Sequence, residues 1–344
     1  MRPTIHCHLV NGWFGDPVVY GAVMFERRSF LFDIGDITAL VPRKLLRVSH
    51  VFVSHAHIDH FCGFDRLLRL LLGRDKMVAL YGPAGFIDKV EHKLLAYTWN
   101  VIHRYAGNLV FEVYEVDGNG ALRHACFQSV CAFRREAMPE TRLADDLPVS
   151  CGGFRVRCAV LDHGTPCLGF ALEEPAHVNI WKTQLDALGL SVGPWLHDFK
   201  RAILEGAPAE TPIRALRRDD HGGTPIMLPL GELNNLAQVV PGQKIAYVVD
   251  VRDHAANAER IERLAFGADL LFMECAFLEA DAAHATRKNH LTAWRAGILA
   301  RQAQVKRLAP CHFSTRYTDR ADLLLEEARR AFRGPIALSG TDES

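Results

Sequence analysis

Short apolar runs alternate with segments of helical periodicity along this chain. Residues 51–54 form one such run, and its length suits a buried strand. In the segment that follows, Phe64, Leu67, Leu68 and Leu71 recur at the spacing i, i+3, i+4, i+7. This spacing is the period of one face of an α-helix. A strand, a loop and a helix are therefore predicted in this order.

The same order recurs in both halves of the chain, which predicts an α/β or α+β fold rather than an all-β fold. Further strands are predicted at residues 18–25, 29–33, 78–81, 154–160, 244–250, 270–273 and 305–308, with strand-like alternation over 109–133. Further helices are predicted at residues 86–97, 255–266, 292–304 and 319–332.

Prolines interrupt this pattern between residues 174 and 240. They include Pro175, Pro194, Pro208, Pro212, Pro225 and Pro229. A long irregular segment inside a regular chain is typical of an insertion or of a functional excursion. We predict one domain over residues 1–344, with residues 174–240 as an irregular insertion within it.

Composition excludes several classes of protein. The 344 residues are 49% hydrophobic and 23% charged, which is ordinary for a globular chain. The 40 Lys and Arg balance the 40 Asp and Glu, and this argues against a broadly basic nucleic-acid-coating protein. The nine Cys include no Cys-x-x-Cys pair, no apolar stretch approaches membrane-helix length, and no signal-peptide core is present. A cytoplasmic location without membrane association is expected.

The 17 histidines are a prominent feature, because His is the commonest metal ligand. His55, His57, Asp59 and His60 lie within six residues, directly after the predicted strand 51–54. A short loop can direct the first two towards one ion and the last two towards a second. A hydrogen-bonded cluster of loop histidines is the alternative, but such a cluster leaves polar atoms unpaired.

Three later residues extend this candidate metal site. His163, Asp250 and His312 each follow or end a predicted strand. Taken singly, a residue of this kind is more often a hydrogen-bonded core or loop residue than a ligand. Together they supply enough ligands for two ions, and one carboxylate could bridge them. Nitrogen and oxygen ligands suit Zn²⁺, while Mn²⁺ and Fe remain alternatives.

The motifs around these residues resemble those of the metallo-β-lactamase-fold hydrolases, and within them the ribonuclease Z-like zinc phosphodiesterases. The resemblance extends over most of the chain. The matching segments are 32–36 with its Asp-x-Gly turn, 53–64 with the histidine loop, 163–170, 268–277, His-Leu-Thr-Ala at 290–293, and Pro-Cys-His-Phe-Ser-Thr-Arg-Tyr at 310–317.

The resemblance implies an α+β fold, a four-layer αβ/βα sandwich with its site at the sheet edges. It implies one zinc on His55, His57 and His163, and another on Asp59, His60 and His312, with Asp250 bridging. In this scheme a metal-bound hydroxide attacks phosphorus and Asp59 orients it, while His290 protonates the leaving oxygen. Glu274 could orient His290 and Arg316 could bind phosphate. A plain buried carboxylate and a solvated Arg are the alternatives for these two.

Two motifs depart from the family. Asp250 lies between Val249 and Val251, where the family usually has Gly-Asp-Thr, and Cys167 replaces a frequent Ser. The tRNA-processing members of the family carry a protruding arm with a Gly-Pro pair near its tip. Gly193-Pro194 occupies a comparable place, but no long basic arm surrounds it, so residues 174–240 could be a reduced arm. The basic surplus at 287–333, 11 Lys and Arg against 4 Asp and Glu, could receive a polyanion or be a solvated helix surface.

We therefore expect a dinuclear zinc-dependent phosphodiesterase of the ribonuclease Z type, an endonuclease whose substrate could be precursor tRNA, cleaved at its 3′ end. One alternative is a hydrolase of a small ester, such as a cyclic nucleotide, an aryl sulfate or a lactone. A non-catalytic binding protein on the same fold is the other. The family commonly forms homodimers.

Overall fold

The computed structural model of this chain describes residues 4–24, 26–143, 146–147, 154–219 and 223–337. Contacts divide it into two units. The larger unit comprises Thr4–Glu173 and Lys244–Ser344, and the smaller unit comprises Glu174–Gln243. The prediction of one domain with an insertion or reduced arm at 174–240 stays a prediction.

Strands dominate the larger unit, where they form one sheet of eight strands and one of six. Its strands are β1 (Ile5–Leu9), β2 (Val19–Val23), β3 (Ser29–Phe32), β4 (Val48–Phe52), β5 (Lys76–Pro83), β6 (Leu109–Val116), β7 (Ala121–Gln128), β8 (Arg135–Arg142), β9 (Asp146–Leu147), β10 (Arg155–Asp162), β11 (Pro166–Glu173), β16 (Lys244–Val248), β17 (Leu270–Glu274) and β18 (Leu308–Cys311). The smaller unit contains β12 (His177–Ile180), β13 (Pro212–Arg217), β14 (Thr224–Pro229) and β15 (Ala237–Val240).

Helices connect these strands. In the larger unit they are α1 (Pro42–Leu45), α2 (Ile58–Phe61), α3 (Phe64–Leu71), α4 (Phe86–Leu95), α7 (Ala255–Ala265), α8 (Ala282–Lys288), α9 (Ala293–Gln302) and α10 (Ala321–Phe332). The smaller unit has α5 (Lys182–Ala187) and α6 (Trp195–Leu204). Among the described residues the longest helix, α10, has 12 residues, and none combines the length and apolar character needed to cross a bilayer.

Strand direction places the loops that carry the candidate ligands. In the eight-stranded sheet, ordered β1 to β8, strands β3, β4, β5 and β6 are parallel neighbours. The other sheet has the order β18-β17-β16-β11-β10-β9, and β16, β17 and β18 are parallel. Parallel strands end at the same edge of a sheet, so the residues after β16 and β18 emerge together.

Three apolar layers hold the larger unit together. One lies between the two sheets, where the rings of Phe32 and Tyr247 stack with centroids 5.3 Å apart. The second packs the eight-stranded sheet against α3 and α4, through residues such as Leu67 and Val90. The third packs the six-stranded sheet against α7, α9 and α10. The order helices, sheet, sheet, helices confirms the α+β sandwich that the resemblance implied.

Most predicted elements are found with shifted ends, and the strand predicted at 305–308 is displaced. The strand runs over Leu308–Cys311 and pairs in parallel with Leu271–Glu274. Pro310 lacks the amide hydrogen that a central strand needs, so proline is unfavourable inside a sheet. Because β18 is an edge strand of its sheet, the proline is tolerated.

The smaller unit has more regular structure than its prolines indicated. It contains the antiparallel hairpin β13–β14, the antiparallel pair β12 and β15, and the two short helices α5 and α6. Its own apolar core is built from Leu185, Leu190, Trp195, Phe199, Ala202, Ile213, Ala215, Leu230, Leu233 and Leu236.

Candidate metal centre

The histidine loop follows β4 and leads directly into α2. Ser54, His55 and His60 are buried, and α2 begins at Ile58. Because α2 has only one turn, Asp59 and His60 stand on a short helix beside the extended residues before it. Gly63 lies two residues after the end of α2, and a Cβ atom at this position would lie 2.2 Å from the carbonyl oxygen of Gly35. The loop is therefore held tightly against the Asp-x-Gly turn.

The other three candidate ligands stand at strand ends of the six-stranded sheet. His163 follows β10, Asp250 follows β16 and His312 follows β18. Asp250 and His312 have φ values of +55° and +54°, in the left-handed region that few non-glycine residues adopt. Such backbone conformations cluster at functional sites, where the surrounding structure holds them.

Asp250 is the centre of the cluster. Its Oδ2 lies 3.5 Å from His55 Nε2, 3.3 Å from His163 Nε2 and 3.5 Å from His60 Nε2. Its Oδ1 lies 3.3 Å from His312 Nε2. One carboxylate thus faces imidazole nitrogens on both sides, as a bridging ligand does.

Asp59 completes the second half of the cluster. Its Oδ2 lies 3.3 Å from His60 Nε2 and 3.4 Å from His312 Nε2. The structure brings all seven residues predicted as ligands together in two groups: His55, His57, His163 and Asp250 in one, and Asp59, His60 and His312 in the other. Within each group the ligand atoms lie within 4.8 Å of one another. Their role as ligands stays a prediction.

Unpaired buried atoms test whether these residues fit a metal. Among the described residues, His55 Nε2, His60 Nε2 and Asp250 Oδ1 are buried without a hydrogen-bond partner. A buried polar atom without a partner costs about 1–3 kcal/mol. A divalent cation would satisfy such lone pairs, and imidazole with carboxylate is a donor set that Zn²⁺ accepts. The residues present therefore fit a bound metal.

Electrostatics also favour a cation here. Burial and the charge of His60 lower the pKa of His55 to about 2, so its imidazole is neutral. Burial opposes the charge of Asp250, but His312 and His60 outweigh it and lower the pKa of this carboxyl. Burial also disfavours the charged form of His60, but Asp250 and Asp33 raise its pKa. The negative field that favours an imidazolium is equally a field that favours a metal ion.

His290 and Glu274 form a buried pair beside the cluster. His290 Nδ1 lies 2.7 Å from Glu274 Oε2, and the other oxygen, Oε1, accepts the backbone amide of Val251 at 2.7 Å. Burial lowers the pKa of His290, but Glu274 outweighs it and raises the pKa to about 9. Glu274 is therefore the partner of Nδ1, and it does not engage the other ring nitrogen, Nε2.

Sequence reasoning missed the groups that hold the ligands in place. Asp33 is fully buried and accepts hydrogen bonds from the backbone amide and hydroxyl of Ser54, at 2.6 and 2.8 Å. Its Oδ2 also accepts from His60 Nδ1 at 2.7 Å and from the Tyr247 hydroxyl at 2.6 Å. The Asp-x-Gly motif marked Asp33, but nothing local marked Tyr247, which is 214 positions away.

Asn289 supports His163 in a similar way. The carbonyl oxygen of Asn289 accepts from His163 Nδ1 at 2.9 Å, and its side-chain amide donates to the His163 carbonyl at 3.1 Å. Arg252 Nε donates to the Asn289 Oδ1 at 2.7 Å. Since Asn289 also precedes His290, one residue positions a candidate ligand and the candidate acid.

A cleft of about 330 Å³ opens onto the cluster. Its lining comprises Phe14, Gly15, Asp16, Pro17, Asp59, Ala276, Phe277, His284, Lys288, His290, His312, Phe313, Ser314 and Thr315. Arg316 is not part of this lining. Its side chain is 48% exposed, with Nη1 4.0 Å from Asp281 Oδ1. Phosphate binding by Arg316 stays a prediction.

The chain is similar to known proteins over most of its length. Residues 36–215 match the family model described as "Beta-lactamase superfamily domain". The chain is 31% identical to ribonuclease Z of Deinococcus radiodurans over 294 residues, 84% of this chain and 83% of the relative. It is 36% identical to ribonuclease Z of Thermobifida fusca over 336 residues, 96% of this chain and 86% of the relative.

Among solved structures, the human tRNase Z short form superposes with a TM-score of 0.52 at 17% identity, covering 98% of this chain and 97% of the human one. At this identity the match supports the fold alone. Hydrolases of the metallo-β-lactamase fold bind metal ions, and the clustered His and Asp residues are candidate sites for them. The chain belongs to the metallo-β-lactamase superfamily and, within it, to the ribonuclease Z family of metal-dependent phosphodiesterases.

Proposed function

We propose that this protein is a dinuclear zinc endoribonuclease that cleaves precursor tRNA at its 3′ end. The single observation that carries the proposal is the convergence of unpaired ligand atoms on Asp250, beside the His290–Glu274 pair. The relatives named ribonuclease Z support RNA as the substrate class, and precursor tRNA is the substrate that the family resemblance implies.

The two ions would be held by the residues already grouped. His55, His57 and His163 would hold one, and Asp59, His60 and His312 the other, with Asp250 between them. When bound, divalent ions neutralise the charge of a phosphodiester and lower the pKa of a coordinated water.

His290 would act as the general acid of the reaction. Glu274 Oε2 accepts from Nδ1, which fixes the orientation of the ring, and the raised pKa of His290 favours the imidazolium, which also carries a proton at Nε2 for the leaving 3′-oxygen. Protonation of this oxygen while water displaces it from phosphorus would avoid the release of an alkoxide. Glu274, fixed by the amide of Val251, is in this scheme a positioning residue.

Asp59 would orient the attacking water. Its Oδ2 faces His60 and His312, whereas Oδ1 has no hydrogen-bond partner among the described residues. The side chain is 37% exposed and lines the cleft. Oδ1 is thus available to accept a hydrogen bond from a water in the cleft.

The experiment combines metal analysis with two substrates. Purified protein is analysed for bound metal and then assayed on bis(p-nitrophenyl) phosphate and on a precursor tRNA. Asp59→Ala is expected to lose at least 100-fold in kcat on both substrates, whereas His290→Ala is expected to lose at least 100-fold on precursor tRNA and less on bis(p-nitrophenyl) phosphate, because p-nitrophenolate leaves without protonation. His92→Ala, an exposed histidine on α4, is the matched control and should retain full activity.

Three outcomes would contradict the proposal. Full activity of Asp59→Ala and His290→Ala would exclude the assigned roles. Hydrolysis of the small diester without cleavage of precursor tRNA would favour a small-ester hydrolase. Protein purified without chelator that contains no metal and has no activity would favour a binding protein on this fold.

A further inference from the structure

Two segments that line the cleft differ in chemistry. Residues 14–17 contribute Phe14, Gly15, Asp16 and Pro17, and the one charged residue among them is negative. Helix α8 contributes His284 and Lys288, and these two residues are here called the α8 wall. Asp59, His290 and His312 line the same cleft. Lys288 is the one lysine or arginine among these lining residues, which makes the α8 wall suited to an anionic group.

Lys288 is the cation of this wall that has no counter-ion. It is exposed, and no carboxylate of the described residues lies within 4.0 Å of its ammonium group. The nearby Arg316 differs, because its guanidinium faces Asp281. An unpaired ammonium at the edge of a cleft is a point charge suited to a phosphate.

The histidine beside Lys288 is held as a hydrogen-bond donor. Arg287 Nη2 lies 2.9 Å from His284 Nδ1, and a guanidinium can only donate, so Nδ1 accepts and the proton of the neutral ring stands on Nε2. Loss of solvent and the charges of Arg316, Arg287 and Lys288 lower the pKa of His284, which favours this neutral form.

The position of His290 decides which part of a substrate meets this wall. His290 follows α8 after a single residue, Asn289, and lines the cleft together with Lys288. If His290 protonates the leaving 3′-oxygen, the nucleotide that carries this oxygen lies on the α8 side. The next phosphate of a strand in the 5′ direction is attached to that same nucleotide.

We propose that Lys288, with His284, binds the phosphate immediately 5′ of the scissile one, so that the cleft selects a nucleic-acid strand over an isolated phosphodiester. This inference rests on the proposed function, because His290 must be the acid on the leaving-group side. It assigns specificity to α8 rather than to the metal ligands.

The test compares dinucleotides that differ by one phosphate. UpU has only the scissile phosphate, pUpU adds one on the 5′ side, and UpUp adds one on the 3′ side. We expect wild-type kcat/KM to be about tenfold higher for pUpU than for UpU, the range of one charged hydrogen bond at an exposed site. UpUp should gain less than twofold. Where a dinucleotide is bound but not cleaved, its inhibition constant against bis(p-nitrophenyl) phosphate replaces kcat/KM.

Three variants separate binding from folding. Lys288→Ala should remove the preference for pUpU while leaving kcat/KM for bis(p-nitrophenyl) phosphate within twofold of wild type. Lys288→Arg should restore at least half of the preference, because it keeps the charge. Lys89→Ala, an exposed lysine on α4 outside the cleft, is the matched control and should behave as wild type.

Salt dependence gives an independent readout. Removing one phosphate contact should reduce the slope of log K against log salt for pUpU by about 0.7–1, and a helix that merely loses stability would not change this slope. A preference for pUpU that survives in Lys288→Ala, or an equal loss on bis(p-nitrophenyl) phosphate, would overturn the inference. If no phosphodiester is hydrolysed by wild type, the proposed function fails, and calorimetric binding of pUpU against UpU still decides the role of Lys288.

Discussion

At the scale of single residues, the buried Asp33 supports the candidate ligand His60. It receives four hydrogen bonds, one of them from His60 Nδ1, and this fixes the ring so that Nε2 faces Asp250. Carboxylate partners of ligand histidines typically change metal affinity 10- to 100-fold.

We expect Asp33→Asn to weaken zinc binding by about 10- to 100-fold. The amide of Asn has nearly the same shape as the carboxylate, but it has one acceptor oxygen, whereas the four donors around Asp33 bond to two. Zinc retention would be measured by competition with a chromophoric chelator. Asp36→Asn is the matched control and should bind zinc as wild type. Asp36 is an exposed carboxylate three residues away, and it accepts hydrogen bonds from the backbone amide and the hydroxyl of Thr38. Unchanged affinity in Asp33→Asn would show that Ser54 and Tyr247 suffice.

His50 makes the free energy of unfolding depend on pH. It is buried in β4, next to the rings of Phe52, Tyr81 and Phe154. Burial, followed by the charges of Arg28 and Lys76, lowers its pKa from the usual 6.5 to about 4. The unfolded chain therefore binds this proton first as pH falls. The neutral ring makes its full contribution to the free energy of unfolding above pH 6.5, and this contribution is lost as the pH falls from 6.5 to 4.

We expect His50→Phe to reduce this acid destabilisation by about 2–3 kcal/mol between pH 6.5 and pH 4. Loss of the contact between His50 Nδ1 and the Ser49 hydroxyl shifts the free energy of unfolding equally at all pH values. Urea denaturation at both pH values, with chelator present so that metal release plays no part, measures the difference. His92→Phe is the exposed control. A slope equal to wild type in His50→Phe would refute the assignment.

At the scale of elements, the contact between α9 and α10 depends on a single glycine. A Cβ atom at Gly297 would lie 2.6 Å from the Ala328 carbonyl oxygen, 2.7 Å from the Ala331 Cβ and 2.9 Å from the Phe332 amide nitrogen. Two of these neighbours are backbone atoms and cannot rotate away. The glycine thus permits a close approach that no other residue allows.

We expect Gly297→Ala to lower the free energy of unfolding by up to about 2 kcal/mol. The gain in helix propensity is about 1 kcal/mol, but overpacking against backbone costs about 1–3 kcal/mol. Urea denaturation of the zinc-saturated protein measures the change. Arg301→Ala, exposed on the same helix, should remain within about 0.5 kcal/mol of wild type. A stabilised Gly297→Ala would mean that the two helices separate at little cost.

Element predictions succeeded where one face of the element is apolar. The helices predicted from residues 64–71 and 255–266 are found as Phe64–Leu71 and Ala255–Ala265, because their buried faces repeat at 3.6 residues. The edge strand β8 was not predicted as a separate element. All its residues are exposed, so its sequence lacks the alternation that marks a half-buried strand.

At the scale of the whole molecule, the candidate ligands join the two sheets. His55, His57, Asp59 and His60 follow a strand of the eight-stranded sheet, whereas His163, Asp250 and His312 follow strands of the six-stranded sheet. Bound ions would therefore cross-link the sandwich, and their binding free energy would add to the stability of the larger unit.

We expect chelation to lower the thermal midpoint by several degrees and added Zn²⁺ to restore it. Free zinc at 100 times Kd contributes about 2.7 kcal/mol per site. Differential scanning fluorimetry across a zinc titration measures the shift. His312→Ala should reduce it and His92→Ala should not. A midpoint independent of zinc would contradict a dinuclear site between the sheets.

The amino-acid sequence by itself determined the strand and helix order, the histidine loop and the seven candidate ligands, because these follow from local periodicity and from short motifs. The tertiary structure alone decided that Asp250 faces both ligand groups, that Tyr247 reaches Asp33 and that Lys288 lines the same cleft as Phe14. Such contacts join residues far apart in the chain. They depend on how two twisted sheets pack, and no local pattern of side chains specifies that packing.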